Sequence, residues 1–420
     1  MESTGKSKVF SYENGLLLLL GFTFGIVFFE RNAIGPLASY IINDLHLDQT
    51  QVGMLGSALS LAWAISAYLI GAWSDRRGVR KPFLLVSVVV FSLCSALSGV
   101  AATFMMLVMA RVIMGFAEGP FLPICFSIMN VESSPKRRGV NAGLMQNFFA
   151  SLLGTTIAPL VLPWLANAYN WRTAFYLSAV PGLICAVLIW LFVKEPKPVA
   201  QEVAATNAPK PGMLDMLKQR NILVCCGISV FMISWYLVGL IFLPVFFTVV
   251  KGMSPDVAGQ VVAPMGIATM ICGFVVPAIS DRVGRRPAMI IFTFIGLVTP
   301  IAALYFSGPQ WMLSVLLLIG WTASGSFALF MGVVPSETVP KALAASSMGL
   351  VVGAGEIVGG VLSPTISGWI ADQTSLVAHM VVMMVCALCG GLFSLFLRET
   401  APSKVRQPAP TTGTVSTQRA

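Results

Sequence analysis

Long apolar runs, separated by short polar stretches, recur along almost the whole chain. A helix needs about 20 apolar residues to cross the hydrocarbon core of a bilayer, and the runs reach that length. The pattern predicts twelve spanning helices, at residues 14–43, 51–73, 82–102, 104–130, 139–164, 171–193, 221–249, 257–280, 287–306, 311–335, 343–370 and 377–397. We therefore expect an all-α membrane protein with twelve transmembrane helices.

A polar stretch interrupts the apolar pattern after the sixth predicted helix. It contains Pro, Ala and Lys without apolar periodicity, which is typical of a linker. The chain is thus expected to consist of an N-terminal six-helix bundle at residues 1–193, a cytoplasmic linker at 194–220, a C-terminal six-helix bundle at 221–400 and a disordered cytoplasmic tail at 401–420.

The second helix of each half is followed by the same kind of loop. Residues 71–81 read GAWSDRRGVRK, and residues 277–287 read PAISDRVGRRP. An internal repeat of this kind indicates two pseudo-symmetric six-helix bundles related by an axis along the membrane normal, with a site between them at mid-depth.

Charge is scarce and lies mainly on one side of the predicted membrane. The chain is 56% hydrophobic and 10% charged, whereas soluble domains carry about 25% charged residues. The net charge is +9, and 22 of the 26 Lys and Arg residues fall in loops and termini on the same side. By the positive-inside rule both termini are expected in the cytoplasm. The excess of Lys and Arg on one side sets the orientation of the protein in the membrane and does not indicate nucleic acid binding. We expect a multi-pass protein of the bacterial inner membrane.

Four ionisable residues lie deep within predicted helices: Glu30, Arg31, Arg111 and Glu118. An always-charged guanidinium inside a bilayer costs several kcal/mol, so such residues are functional by default. Arg31 is expected to receive an anionic substrate. Glu30 points about 100° away from it, toward a neighbouring helix, whereas Arg111 and Glu118 share one helix face.

These charges are candidates for proton coupling. The proton affinity of a carboxylate changes when it exchanges charged partners, so Glu118, with Glu30 and Arg111, can link proton movement to anion movement. Glu356 is a further intramembrane carboxylate and a candidate second proton site. The alternative is structural: Arg111 satisfies backbone carbonyls or Glu30, Glu118 forms a fixed ion pair, and Arg31 is only the partner of Glu30.

The chain resembles the major facilitator superfamily across residues 10–400. The residues Asp75-Arg76-x-Gly78-x-Arg80 and their copy match its signature between helices 2 and 3, and WRxxF at 171–175 and PxExxP at 335–340 match further patterns. Within the superfamily the chain is most similar to the anion:cation symporter family, which includes sialin, vesicular glutamate transporters and bacterial sugar-acid transporters. That similarity depends on ERN at 30–32 and RxxxGxxExP at 111–120.

The resemblance implies roles for several residues. It implies that Arg31 binds the substrate carboxylate and that Glu118 and Glu30 take part in proton coupling. The family usually has Asp where this chain has Glu30, and often a substrate-contacting Tyr where it has Trp63. Candidate cavity-lining residues are Trp63, Gln146, Asn147 and Tyr236, for each of which the alternative is helix packing.

The two repeated loops are predicted to form a cytoplasmic gate that holds the halves in one conformation. Asp75 would pair with arginines or with a helix N-terminus across the interface, and glycine allows the tight turn. The predicted gate residues are Gly71, Asp75, Arg76, Gly78, Arg80, Asp281, Arg282, Gly284, Arg285 and Glu337. The alternative, a basic loop that only sets topology, explains the arginines but not the repeated Asp.

We therefore expect a secondary active transporter that takes up a small organic carboxylate with protons by alternating access. The Phe and Trp residues of the cavity helices favour an aromatic or aliphatic acid over a sugar acid. The alternatives are a proton-coupled drug or metabolite antiporter, an organic anion exchanger, and a membrane sensor.

The sequence has no Walker loop and no nucleophile–base arrangement, so we expect no enzyme, no cofactor and no metal site. The expected partners of a monomeric protein are the anion, protons and the lipid bilayer.

Overall fold

The computed structural model describes residues 11–134, 137–195, 216–340, 343–402 and 404, except for the side chains of residues 72, 75, 76 and 345. Within these ranges twelve helices are long and apolar enough to cross a membrane: α1 (Tyr12–Leu45), α2 (Gln49–Gly71), α3 (Lys81–Val100), α4 (Phe104–Glu132), α5 (Arg138–Ala168), α6 (Trp171–Phe192), α7 (Arg220–Val249), α8 (Pro255–Val283), α9 (Arg285–Tyr305), α10 (Gln310–Thr338), α11 (Ser346–Gln373) and α12 (Val377–Leu395). The predicted helices are confirmed. Most of the predicted linker and tail lies outside the described residues.

Local sequence determines where several helices begin and turn. The side chains of Thr103 and Asn170 cap α4 and α6 by accepting hydrogen bonds from the backbone N–H three residues later, as expected of N-caps. In the two repeated loops, Gly78 and Gly284 have φ angles of 65° and 111°. Only glycine adopts such angles at little cost, so the repeat preserves a backbone requirement at both positions.

The helices form two six-helix bundles, α1–α6 and α7–α12, with equivalent internal packing. In the first half α3 packs against α6 and α2 against α4; in the second, α9 packs against α12 and α8 against α10. A β-carbon at Gly115 or Gly119 of α4 would collide with the α2 backbone at Leu59 or Trp63. Small residues at helix contacts are what allow membrane helices to approach closely.

Among the described residues the helix pairs that join the halves include α1 with α7, α2 with α11 and α5 with α8, and α1 also contacts α8. We name the side of the bundle where α1 begins the termini side and the opposite side the far side. On the far side the backbones touch, because a β-carbon at Gly53 would collide with Pro364 and one at Gly35 would collide with Leu240. The halves are therefore closed together on the far side.

The fifth helix of each half departs from regular α geometry. In α5, residues 144–149 and 151–157 are π-helical, and in α11 residues 355–362 are. Such turns are uncommon and occur often at functional sites. They carry three of the candidate residues, Gln146, Asn147 and Glu356.

Candidate functional site

Arg31 lies midway along α1, at the interface between the halves, and is partly buried. Its Nη2 donates a hydrogen bond to Ser60 Oγ at 3.3 Å. The guanidinium carbon lies 5.8 Å from the centre of the Phe28 ring and 5.2 Å from that of Trp63. Within the described residues no carboxylate forms an ion pair with Arg31. Aromatic faces and one hydroxyl therefore hold this cation, and its charge is available to a ligand.

A small cavity adjoins Arg31 and is lined by both halves. Arg31, Leu55 and Ser60 contribute from the first half, and Leu240 and Ile241 from the second. Its volume is about 30 Å³, which is room for one or two water molecules. The cavity must widen before an organic acid can enter.

Glu30, Arg111 and Glu118 form a buried cluster inside the first half, each at most 1% exposed. Arg111 Nη1 donates to the backbone carbonyl of Glu30 at 3.0 Å, not to its carboxylate. Glu30 interacts electrostatically with Glu118 and Arg111, and Glu118 with Arg31 and Arg111. The carboxylate oxygens of both glutamates are buried without a hydrogen-bond partner among the described residues. Burial of charge without hydrogen bonds is costly, so a change of partner or protonation here has a large free-energy effect.

The second half faces Arg31 with aromatic rings and a carboxylate. The Tyr236 ring lies 5.4 Å from those of Trp321 and Phe327, and Tyr236 lies beside Thr155 of α5. Glu356 is partly buried in the π-helical part of α11 and interacts electrostatically with Arg31 from the opposite half. Sequence reasoning did not single out Ser60, Trp321 or Phe327, because their positions depend on helix packing.

The other predicted cavity residues have different surroundings. Trp63 contacts Arg31, as described above. Asn147 lies near Gly273 of α8, across the interface between the halves, whereas the Gln146 side chain is exposed. No described contact joins either residue to Arg31.

The second repeated loop forms an ionic network on the termini side. Arg285 pairs with Asp281 at 2.5 Å and with Glu337 at 2.9 Å, and Thr400 Oγ1 donates to Glu337 at 2.7 Å. Arg282 is exposed. All these bonds lie within the second half, so they fix its own helix ends.

In the first repeated loop the structure does not describe the side chains of Asp75 and Arg76. The β-carbon position of Gly71 faces open space. The loop's backbone is capped by Glu195, whose carboxylate accepts from the backbone N–H of Arg80 at 2.6 Å and of Lys81 at 2.8 Å. This contact holds the start of α3.

Glu399 caps the start of α9 in the same way, accepting from the backbone N–H of Arg285 at 2.7 Å and of Arg286 at 3.1 Å. Burial tends to raise the pKa of Glu399, but the backbone N–H groups of Ala401, Arg285, Arg286 and Thr400 lower it below the usual value. Sequence reasoning missed Glu195 and Glu399. Their signal was a basic residue followed by Glu after the sixth helix of each half, at Lys194-Glu195 and Arg398-Glu399.

The known proteins to which this chain is similar are membrane transporters. Residues 20–359 match the Major Facilitator Superfamily. The chain is 28% identical over 330 residues to a probable 4-methylmuconolactone transporter of Cupriavidus pinatubonensis, covering 76% of each chain. It is 29% identical over 398 residues to a hexuronate transporter of Bacillus subtilis, covering 87% of this chain and 90% of the relative.

A solved structure with the same fold is that of a bacterial homologue of the human lysosomal transporter Spinster, in an inward-facing and unoccupied conformation. The TM-score is 0.76 at 19% identity, covering 94% of this chain and 98% of that one. At this identity the likeness shows the fold alone. With its twelve spanning helices, its two bundles and its match over most of the length, this chain belongs to the major facilitator superfamily and is an integral membrane transporter, not an enzyme.

Proposed function

We propose that this transporter takes up a small organic carboxylate together with protons by alternating access, and that Arg31 binds the carboxylate. The observation that carries the proposal is the guanidinium of Arg31, which lies at the interface between the halves, beside a shared cavity, without an ion pair among the described residues. An intramembrane cation that forms no direct ion pair is well placed to bind an anionic solute.

Proton coupling is assigned to the carboxylates around Arg31. Glu118 interacts with both Arg31 and Arg111, so anion binding at Arg31 changes the electrostatic potential at Glu118. Glu30 and Arg111 extend this interaction into the first half. Glu356 interacts electrostatically with Arg31 from the second half. Because the two residues belong to different halves, the distance between them changes when the halves rotate. This makes Glu356 the candidate second proton site.

The surroundings of Arg31 favour a flat acid with few hydroxyl groups. Phe28 and Trp63 lie beside the guanidinium. From the other half Tyr236 interacts with Arg31, and the rings of Trp321 and Phe327 pack against Tyr236. Aromatic walls bind planar apolar surfaces well and offer few partners to a polyol. One relative is described as a probable transporter of 4-methylmuconolactone and another as a hexuronate transporter; we propose the first kind of solute over the second.

We also propose the topology and the gate. The excess of Lys and Arg on the termini side supports a location of that side in the cytoplasm, in a bacterial inner membrane. The repeated loops form the gate on that side, and Glu337 at the end of α10 joins them. The gate residues are Gly71, Asp75, Arg76, Gly78 and Arg80 in the first loop and Asp281, Arg282, Gly284 and Arg285 in the second. The network of Arg285 with Asp281 and Glu337 supports this by holding three helix ends as one unit. A monomer is sufficient, because both halves of the cavity come from one chain.

Uptake into proteoliposomes tests the proposal. Benzoate, cis,cis-muconate and galacturonate are each offered with and without an inward proton gradient. We expect concentrative, gradient-dependent uptake of at least one acid, and a loss of about 100-fold or more in Arg31→Ala, since truncating one partner of a desolvated charge pair costs about 2–5 kcal/mol. Arg138→Ala, which removes an exposed arginine at the start of α5, is the matched control and should transport normally. Unchanged uptake in Arg31→Ala would contradict the proposal, and gradient-driven extrusion of apolar cations would support the antiporter alternative.

A further inference from the structure

Asp372, at the far-side end of α11, binds the beginning of α2. Its carboxylate accepts hydrogen bonds from the backbone N–H of Gln49 at 2.9 Å, from that of Thr50 at 2.8 Å and from Thr50 Oγ1 at 2.5 Å. The first N–H groups of a helix have no partner within the helix, and its dipole favours negative charge there. Because α2 belongs to the first half and α11 to the second, this carboxylate joins the two halves.

The same two helices pack tightly below this contact. Ser57 Oγ and Thr365 Oγ1 are 2.8 Å apart. A β-carbon at Gly53 would collide with the Pro364 carbonyl, and one at Gly368 would collide with Gln49. The cavity beside Arg31 lies next to this layer, since Leu55 and Pro364 line it. A solute that approaches from the far side between α2 and α11 reaches Arg31 only if these two helices separate.

The pseudo-symmetric helix pair, α5 with α8, carries a second polar contact between the halves. Asn167, at the far-side end of α5, donates to the carboxylate of Asp256 in the first turn of α8. Tyr40 of α1 in turn donates to Asn167 Oδ1 at 2.5 Å. In both pairs a carboxylate at the N-terminus of the second helix of one half forms a hydrogen bond across the interface. Asp372 caps α2 from the opposite half, whereas α8 is capped by its own Ser254.

We propose that Asp372 is a positioning residue for transport, one that stabilises the far-side-closed state by capping α2 from the opposite half, with Asp256 and Asn167 as its counterpart on α5 and α8. Opening toward the far side breaks these bonds and returns the N-terminus of α2 to solvent. The strength of the contacts therefore sets the population of the far-side-open state. This role does not depend on the identity of the solute.

Distances between spin labels test the proposal without any substrate. The labels are placed at Asn43→Cys and Ser375→Cys, two exposed far-side positions in different halves, in a full-length chain whose eight cysteines are replaced. Asp372→Asn should raise the ratio of long to short distances by about tenfold, as loss of charge-assisted hydrogen bonds implies. The matched control is Asp48→Asn, because the Asp48 carboxylate also caps α2, through Gln51 N–H at 2.7 Å, but within the first half. An unchanged distribution in Asp372→Asn, or an equal shift in Asp48→Asn, would overturn the proposal.

Two further variants separate this role from a folding defect. Asp372→Glu keeps the charge and should restore most of the closed population, and Thr50→Val removes one of the three bonds and should give a smaller shift than Asp372→Asn. If the shifts in Asp372→Glu and Thr50→Val were not smaller than the shift in Asp372→Asn, the contact would not control closure. A shifted distribution in a protein that takes up no carboxylate would support this proposal and overturn the proposed function, so the two fail separately.

Discussion

The guanidinium carbon of Arg31 lies 5.2 Å from the centre of the Trp63 indole ring, so a charged helix-1 side chain is held by the face of an aromatic residue on α2. Such contacts orient a cation without neutralising it. A carboxylate partner would instead compete with substrate for Arg31. The contact with Trp63 therefore holds the charge of Arg31 inside the bundle and leaves this charge able to bind an anion.

Shortening Trp63 is expected to weaken anion binding. Trp63→Ala should raise the half-saturation concentration for the transported acid by about tenfold, because a partly desolvated cation–π contact contributes about 1–2 kcal/mol, whereas Trp63→Phe should raise it less. Initial uptake rates over a range of concentrations give this value. The matched control is Trp73→Ala, which removes a Trp–Arg contact, with Arg77 at 5.3 Å, in the helical segment that continues α2 as far as Arg77. Equal effects of both alanine variants would contradict a specific role of Trp63.

Neutralising Glu118 is expected to separate proton coupling from anion exchange. Glu118→Gln keeps the side-chain volume but removes the charge that interacts with Arg31 and Arg111. We expect it to lose proton-driven accumulation and to retain counterflow of labelled acid in preloaded proteoliposomes. Full concentrative uptake by this variant would move the coupling role to Glu30 or Glu356, and Glu30→Gln and Glu356→Gln, assayed in the same way, would show which one.

The ionic network of the second loop should respond unequally to loss of its two carboxylates. Glu337 and Arg285 have side-chain exposures of 21% and 7%, whereas Asp281 is 64% exposed. Glu337→Gln is expected to cost about 1–3 kcal/mol, since it leaves a buried guanidinium less well paired, but Asp281→Asn should cost about 1 kcal/mol or less. Thermal unfolding of the two variants in one detergent gives the comparison. A larger loss in Asp281→Asn would contradict the importance of burial here.

The sequence was sufficient to predict the helices and the deep charges, because apolar length and intramembrane charge are local properties. The adjacent residues Glu30 and Arg31 show this well: helical geometry alone predicts their divergence, and in the structure one is buried in the first half and the other lies at the interface between the halves. The repeat predicted the equivalence of Gly78 and Gly284, which share positive φ angles.

The contacts of these residues could not be predicted from the sequence. The Ser60 hydroxyl that binds Arg31 is 29 positions away in the chain, and Asp372 is more than 320 positions away from Gln49 and Thr50. Nothing local distinguishes Asp372 from any other acidic residue at a helix end. Such pairings depend on how the halves close together, which is a property of the whole fold.

Glu399 predicts a measurable pH dependence of stability. Burial raises the pKa of its carboxyl, but four backbone N–H groups outweigh this and hold the pKa below the usual 4.5. A carboxyl with a lowered folded-state pKa stabilises the fold fully above its unfolded-state pKa, and this contribution is lost as the pH falls through the folded-state value. Glu399→Gln should therefore unfold at lower temperature than the wild type at pH 7, and the difference should shrink below about pH 4. Unfolding temperatures that stay equally far apart from pH 7 to pH 3 would contradict this assignment.

Filling the contact between α2 and α11 should prevent closure of the far side. A β-carbon at Gly53 would collide with the backbone of Pro364 and Thr365, which cannot move as a flexible side chain can, whereas one at Gly353 on α11 would meet no atom within 4 Å. Gly53→Val is therefore expected to hold the halves apart on the far side and to reduce transport strongly, because alternating access needs both states. The spin-label pair at positions 43 and 375 should report the longer distance in Gly53→Val and an unchanged distribution in the control Gly353→Val. If Gly53→Val transported at the wild-type rate with the short distance intact, close approach of these helices would not be needed for the transport cycle.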